Sequence, residues 1–153
     1  MSDIVSPEVR SRNMAAVKSK NTQPELMIRR GLHSLGFRYR LHRRDLPGRP
    51  DMVFPKYKAV ILVNGCFWHG HKCQLFKLPE TRTDFWRTKI DENKMRDSRN
   101  LEKLSRMGWR VLSIWECSLK SRSRLSKDEV IGETSRWLLS EIENKEITGR
   151  FTL

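Results

Sequence analysis

Read as a run of apolar and polar positions, residues 1–21 are polar and basic and sustain no apolar face. Arg10, Arg12, Lys18 and Lys20 make this stretch a basic arm, helical only briefly. Regular patterning begins at Thr22-Gln23-Pro24-Glu25, where a threonine cap, a proline in the first turn and a glutamate three residues after the cap signal a helix start. Leu26, Ile28, Leu32 and Leu35 carry that helix to Gly36, a stop signal. Phe37–Leu41 is a strand candidate, followed by the basic loop HRRDLPGRP. Asp51–Phe54 and Lys58–Val63 are apolar strands separated by the turn Pro55-Lys56-Tyr57. The nearly continuous apolar run KAVILV predicts a central strand covered on both faces. It leads into NGCFWHGHKC, a loop of glycines, histidines and two cysteines. Thr83 or Asp84 caps a long helix to Met107, with Gly108 as terminator. Trp109–Trp115 is the last clear strand, with Glu116-Cys117 at its end, and a final helix spans Ser126–Glu143. The order arm–α–β–β–β–α–β–α predicts an α/β fold: a mixed sheet flanked by helices, one domain over 22–153 preceded by the arm 1–21.

Composition sharpens this picture in one respect. With 31 Lys and Arg against 18 acids the chain carries +13, the footprint of a polyanion binder. Charge of this size also suits a component of an anionic complex such as a ribosome, so it points to nucleic acid without pointing to chemistry. No stretch approaches the roughly 18 apolar residues of a membrane span, and MSDIVSPEVR lacks the apolar region of a signal peptide. The expectation is a cytoplasmic protein with no membrane partner. In that compartment three cysteines do not make a disulfide framework, which leaves metal binding or burial.

Three groups of residues carry candidate chemistry. Cys66, His69, His71 and Cys73 fall close together, and Cys117 ends a distant strand. Three cysteines and one of the two histidines would complete the tetrahedral N/S set of a structural zinc ion. Spacing alone leaves the histidine open, although His71 is one residue from Cys73 and His69 would then be free for other work. Asp51 follows a Gly-Arg-Pro turn at the start of a strand; with the carbonyl of Val63 it could hold a hard cation such as Mg²⁺. Glu25 could support a metal-bound water, or serve only as the capping-box acid. Trp86, Ile90, Asp97, Leu101 and Leu104 recur at helical spacing, so Asp97 lies on or beside an apolar stripe. A carboxylate there needs a partner: His69, or else Arg96 or Arg99. Phe67 and Trp68 are consecutive in a polar loop and either plug its base or stack on nucleic-acid bases, an ambiguity Trp86 shares.

The runs LPGRPDMVF, AVILVNGCFWHGHKCQLFKLPETRTDFW and RDSRNLEKLSRMGWRVLSIWEC resemble the very short patch repair (Vsr) DNA mismatch endonuclease family, over roughly residues 8 to 140. The resemblance implies a restriction-endonuclease-like α/β fold and a bacterial, nucleoid-associated monomer. It implies nicking of the thymine strand at T·G mismatches left by 5-methylcytosine deamination, with double-stranded DNA as partner and mismatch-repair proteins as further candidates. On it, Asp51 is the main magnesium ligand, the Val63 backbone contributes, and Glu25 acts through water. His69 is the general acid or base held by Asp97, and Cys66, His71, Cys73 and Cys117 bind structural zinc. Phe67, Trp68 and Trp86 wedge into the mismatch from the major groove, while the arm with Arg12, Met14 and Lys18 grips the minor groove. Val63-Asn64 stands where some members carry Thr-His. Asn64 removes a titratable group near the scissile phosphate but can still donate a hydrogen bond to it. The ExK half of the wider PD-(D/E)XK signature is absent after Pro50-Asp51. Two other readings compete: a sequence-specific restriction-type endonuclease of the same fold, and a non-catalytic zinc-containing DNA-binding protein.

Overall fold

Thr22 opens the first helix, α1 (Gln23–Ser34), with its hydroxyl accepting the Glu25 amide at 3.4 Å. The structure is a computed structural model that describes residues 22–73 and 75–150, so the basic arm with Arg12, Met14 and Lys18 lies outside the described residues. After α1 come β1 (Arg40–Leu41), β2 (Met52–Phe54), a 3₁₀ turn (Pro55–Tyr57) and β3 (Ala59–Asn64). A long helix α2 (Thr83–Arg106) leads to β4 (Arg110–Trp115), followed by α3 (Cys117–Lys120), α4 (Lys127–Leu138) and β5 (Lys145–Ile147). The strands form one mixed sheet in the order β1-β2-β3-β4-β5. β1, β2 and β3 run antiparallel in succession, whereas β3, β4 and β5 are parallel. Parallel neighbours need a crossover, which α2 supplies between β3 and β4 and α4 between β4 and β5.

Alternation along the strands divides the core in two. Met52, Phe54, Ala59, Ile61, Leu112 and Ile114 face Ile28, Leu32, Val130 and Trp137 of α1 and α4. Val53, Val60 and Val111 face the other way, against Leu104 of α2 and against Trp109 and Leu46. The expected two-sided cover of KAVILV is therefore present, with β3 at the centre of the sheet. α1 and α4 meet closely where Gly31 lies under Ile131; a β-carbon at 31 would sit 2.5 Å from Ile131 Cδ1.

Three local expectations differ from the structure. Neither Thr83 nor Asp84 caps α2: Arg82 takes the cap position with φ +56, and the Thr83 hydroxyl donates back to the carbonyls of Pro79 and Glu80. The strand expected over Phe37–Leu41 shortens to its last two residues, because Phe37 turns into the core against Phe54 and Tyr57. The last helix stops at Leu138 and not at Glu143. Arg110 is the cause: its guanidinium donates to the carbonyls of Trp137, Leu138 and Ile142, and the Ser140 hydroxyl also donates to Trp137, so the helix end is capped from outside. That early stop frees the chain to add β5, a strand with one buried apolar residue, Ile147, and hence almost no sequence signal.

Candidate active site and thiol-imidazole centre

The β2–β3 ladder ends at Met52↔Ile61, and Asp51 stands just before it. The Val63 amide donates to Asp51 Oδ2 at 2.7 Å, so a strand amide fixes the carboxylate at the end of β3. Glu25 of α1 is buried, 1% exposed, and approaches from the helix layer. Its Oε2 accepts Arg29 Nη1 at 3.0 Å and meets His42 Nε2 at 2.8 Å. Pairing of Arg40 with Val53 and Leu41 with Met52 carries His42 opposite Asp51, where its amide donates to the Asp51 carbonyl at 3.2 Å. Glu25, His42 and Asp51 thus offer ligand atoms all within 4.8 Å of one another. Burial raises Asp51 to about 7; the Val63 amide pulls it down, and the nearby Glu25 charge pushes it up again. An acid held this far above its usual range sits where a cation would relieve the crowding.

Residues of the NGCFWHGHKC loop continue the site from the same strand end. Its turn closes with the His69 amide on the Gly65 carbonyl, and His69 Nδ1 meets Asp97 Oδ2 of α2 at 2.5 Å. Helical spacing had placed Asp97 beside the stripe, and Arg96 instead bonds Asn93. Asn93, buried in α2, donates to the Trp68 carbonyl at 2.9 Å and ties loop to helix. Phe67, Trp68 and Trp86 gather with ring centroids 5.1–5.9 Å apart, half-buried, and Phe76 stacks on Phe67 at 6.2 Å. Asn64 closes β3, paired with Trp115, and its carbonyl accepts the Glu116 amide.

On the far side of this loop, Cys66, His71, Cys73 and Cys117 bring their ligand atoms within 4.8 Å of one another. His71 Nδ1 lies 3.6 Å from both Cys66 Sγ and Cys117 Sγ. A tetrahedral ion with bonds of about 2.3 Å to sulfur and about 2.05 Å to nitrogen implies S···N edges of about 3.5–3.6 Å, so the donor set fits a metal ion. The His71 ring stacks on Trp115 at 4.1 Å. The amides of Cys117 and Gly149 donate to the sulfurs of Cys66 and Cys117. Burial pushes both the Cys66 and the Cys117 thiols up and moves His71 down. Of the two candidate histidines, the structure places His71 with the cysteines and His69 with Asp97.

Three contributors escaped the sequence. His42 sat in what read as a basic loop, and only strand pairing puts it across from Asp51. Asn93 looked like one more polar residue of α2. Gly149 follows the unread β5 and passes so close to Cys117 that a β-carbon would lie 2.9 Å from its carbonyl oxygen.

Comparison with known proteins adds to this geometry. The family model described as DNA mismatch endonuclease Vsr matches residues 2–75. The chain is 50% identical over 125 residues to the type II nicking enzyme V.XorIIP of Xanthomonas oryzae pv. oryzae, which covers 82% of this chain and 92% of that protein. It is 41% identical over 141 residues to the DNA mismatch endonuclease Vsr of Escherichia coli, covering 92% of this chain and 90% of that protein. A third relative, the type II nicking enzyme V.NmeAIP of Neisseria meningitidis, is 42% identical over 123 residues, 80% of this chain and 88% of its own.

Proposed function

This chain belongs to the Vsr family of DNA mismatch endonucleases and is a DNA-cleaving hydrolase, and we propose from that premise that it nicks the thymine strand at T·G mismatches with magnesium at Asp51. One observation carries the reading. Asp51 is pinned by a β3 amide among further donors, at the strand end from which departs the loop bearing His69, itself paired with Asp97 of α2. Carboxyl ends of parallel strands are where α/β sheets place their ligands.

The donors suit a hard cation, since two carboxylates and a backbone carbonyl supply oxygen. Asp51 and the Val63 carbonyl would hold it, with Glu25 acting through water. A bound magnesium ion supplies Lewis-acid stabilisation of charge on the phosphate and makes water a better nucleophile. His69 moves a proton at the reacting phosphate, and Asp97 orients its ring. Asn64 donates a hydrogen bond to a phosphate oxygen.

Phe67, Trp68 and Trp86 form the wedge. Unstacking a poorly paired step costs less than unstacking a matched one, which favours mismatches over intact duplex. Zinc on Cys66, His71, Cys73 and Cys117 braces the loop that presents both wedge and histidine. The basic arm would supply minor-groove contacts through Arg12, Met14 and Lys18. The sheet and its helices then constitute a restriction-endonuclease-like core acting as a monomer near the nucleoid, with mismatch-repair proteins as downstream partners. No described helix is long and apolar enough to cross a membrane.

Two relatives are named type II nicking enzymes, which gives a matched-sequence nicking activity a place as the second reading. A duplex library with a T·G or a T·A pair at one fixed position, flanked by varied bases and incubated with and without magnesium, separates the readings. The expected result is a single nick on the thymine strand, confined to T·G duplexes and dependent on magnesium. Equal cutting of T·A duplexes establishes the restriction-type activity instead. Binding without cutting under every condition establishes a non-catalytic DNA-binding protein.

A further inference from the structure

We infer that His42 is a nitrogen ligand of the Asp51 centre and gives this protein a preference for manganese over magnesium. The inference rests on the reading of Asp51 as a cation site and adds to it the third donor and the class of metal that donor favours. Three observations lead there. His42 is held opposite Asp51 by strand pairing, through its amide on the Asp51 carbonyl, and so is built into the sheet. Its Nε2 lies 2.8 Å from Glu25 Oε2, and the imidazole offers a ring nitrogen within 4.8 Å of a ligand atom of Asp51. Its backbone adopts φ +49, a left-handed conformation that a residue with a β-carbon takes at a cost, and such strain clusters at functional sites.

His42 pairs with Glu25 at 2.8 Å, and the same imidazole is available to an ion. Glu25 is already met by Arg29 at 3.0 Å, so a second cation for that acid is not required. The crowded charge is shared with Asp51, beside which the imidazole also stands. Cis donors around a six-coordinate ion with bonds of about 2.2 Å lie about 3.1 Å apart and trans donors about 4.4 Å. Glu25, His42 and Asp51 offer ligand atoms within 4.8 Å of one another, close enough for one ion to be reached from all three, directly or through water. Carboxylate, carbonyl and water donors suit Mg²⁺, Ca²⁺ and Mn²⁺ alike, but of these Mn²⁺, a first-row transition ion, takes an imidazole nitrogen most readily, so one nitrogen in a mostly oxygen set moves the preference from Mg²⁺ toward Mn²⁺.

The test uses the full chain loaded with zinc, so that the cysteine cluster is filled before Mn²⁺ is added. Electron spin-echo modulation of bound Mn²⁺ reports directly whether a nitrogen is coordinated. The chain has four histidines, and two variants assign the signal. The expected result is ¹⁴N modulation in the wild type and in His69→Ala, lost in His42→Gln. Manganese binding, read by titration calorimetry, should weaken at least tenfold in His42→Gln while magnesium binding changes less than threefold. Should that variant fail to fold, labelling histidine alone with ¹⁵N in the His69→Ala background, with zinc filling the His71 cluster, should replace ¹⁴N by ¹⁵N modulation without altering residue 42. Manganese that binds and is released by Asp51→Asn, but shows no ¹⁴N modulation, overturns the role of His42 and leaves the Asp51 site standing. Modulation lost in His69→Ala and kept in His42→Gln overturns it as well. Manganese binding indifferent to Asp51→Asn overturns both this inference and the cation site beneath it.

Discussion

Burial lifts the Asp51 carboxyl to about 7, the neighbouring Glu25 charge adds to the rise, and the Val63 amide opposes it. Without a cation the folded chain holds a proton there that the unfolded chain releases near 3.8. The native state therefore binds more protons across that interval, and stability falls as pH rises from about 4 to about 7. Zinc-loaded, magnesium-free protein should melt at progressively lower temperature across this window, and Asp51→Asn should flatten the profile and melt higher at pH 7.5. Parallel profiles for the two proteins would show that Asp51 is not the group responsible. At the proposed cation site a proton would compete with the ion for this carboxylate, so nicking at limiting magnesium should decline as pH drops below 7. For the second pair, His69→Ala should slow single-turnover nicking by about 10² to 10⁴ with duplex binding retained. Asp97→Asn should slow it less, because it removes orientation and not the proton carrier. At this scale the His69–Asp97 pair was legible, since helical spacing put an acid beside an apolar stripe while a histidine stood unassigned. His42 was not, because nothing along the chain reveals which residue a two-residue strand will place opposite Asp51.

Elements with a strong period were legible and short ones were not. KAVILV and the α2 stripe declared themselves because each repeats its pattern over many residues. β5 holds one buried apolar side chain, and the end of α4 is decided by Arg110, distant in sequence. Yet β5 matters to the site, for it leads to Gly149, whose amide donates to Cys117 Sγ at 3.4 Å. Gly149→Ala would thrust a β-carbon to 2.9 Å from the Cys117 carbonyl, with Ser121 and Ser123 also at 3.1 Å. Overpacking of this sort costs about 1 to 3 kcal/mol. The variant should melt several degrees lower and lose zinc sooner to a chelator, as followed by a colorimetric zinc indicator. Cys117→Ser should go further and purify with less than one zinc per chain; full zinc content with unchanged melting would remove Cys117 from the cluster.

Over the whole molecule, the +13 charge and the sheet-end site act together. Each phosphate neutralised by a lysine or arginine releases counterions, so duplex affinity should fall steeply with salt. A loss of at least about 100-fold between 50 and 200 mM salt is expected, for matched and mismatched duplex alike, in a filter-binding or anisotropy series. On the proposed wedge role, Trp68→Ala should leave that slope unchanged while narrowing the expected preference for T·G over T·A, since such a ring acts on stacking and not on phosphate charge. The charge balance made nucleic acid legible from the sequence, whereas the meeting of sites from α1, β1, β2, β3 and α2 required the fold. Everything returns to one carboxylate at the end of β3. The most direct measurement is single-turnover nicking of a T·G duplex by Asp51→Asn, with duplex binding measured in parallel. A rate at least 10³-fold below wild type, with binding preserved, is the predicted result; wild-type nicking by a variant that binds the duplex equally well would contradict the account.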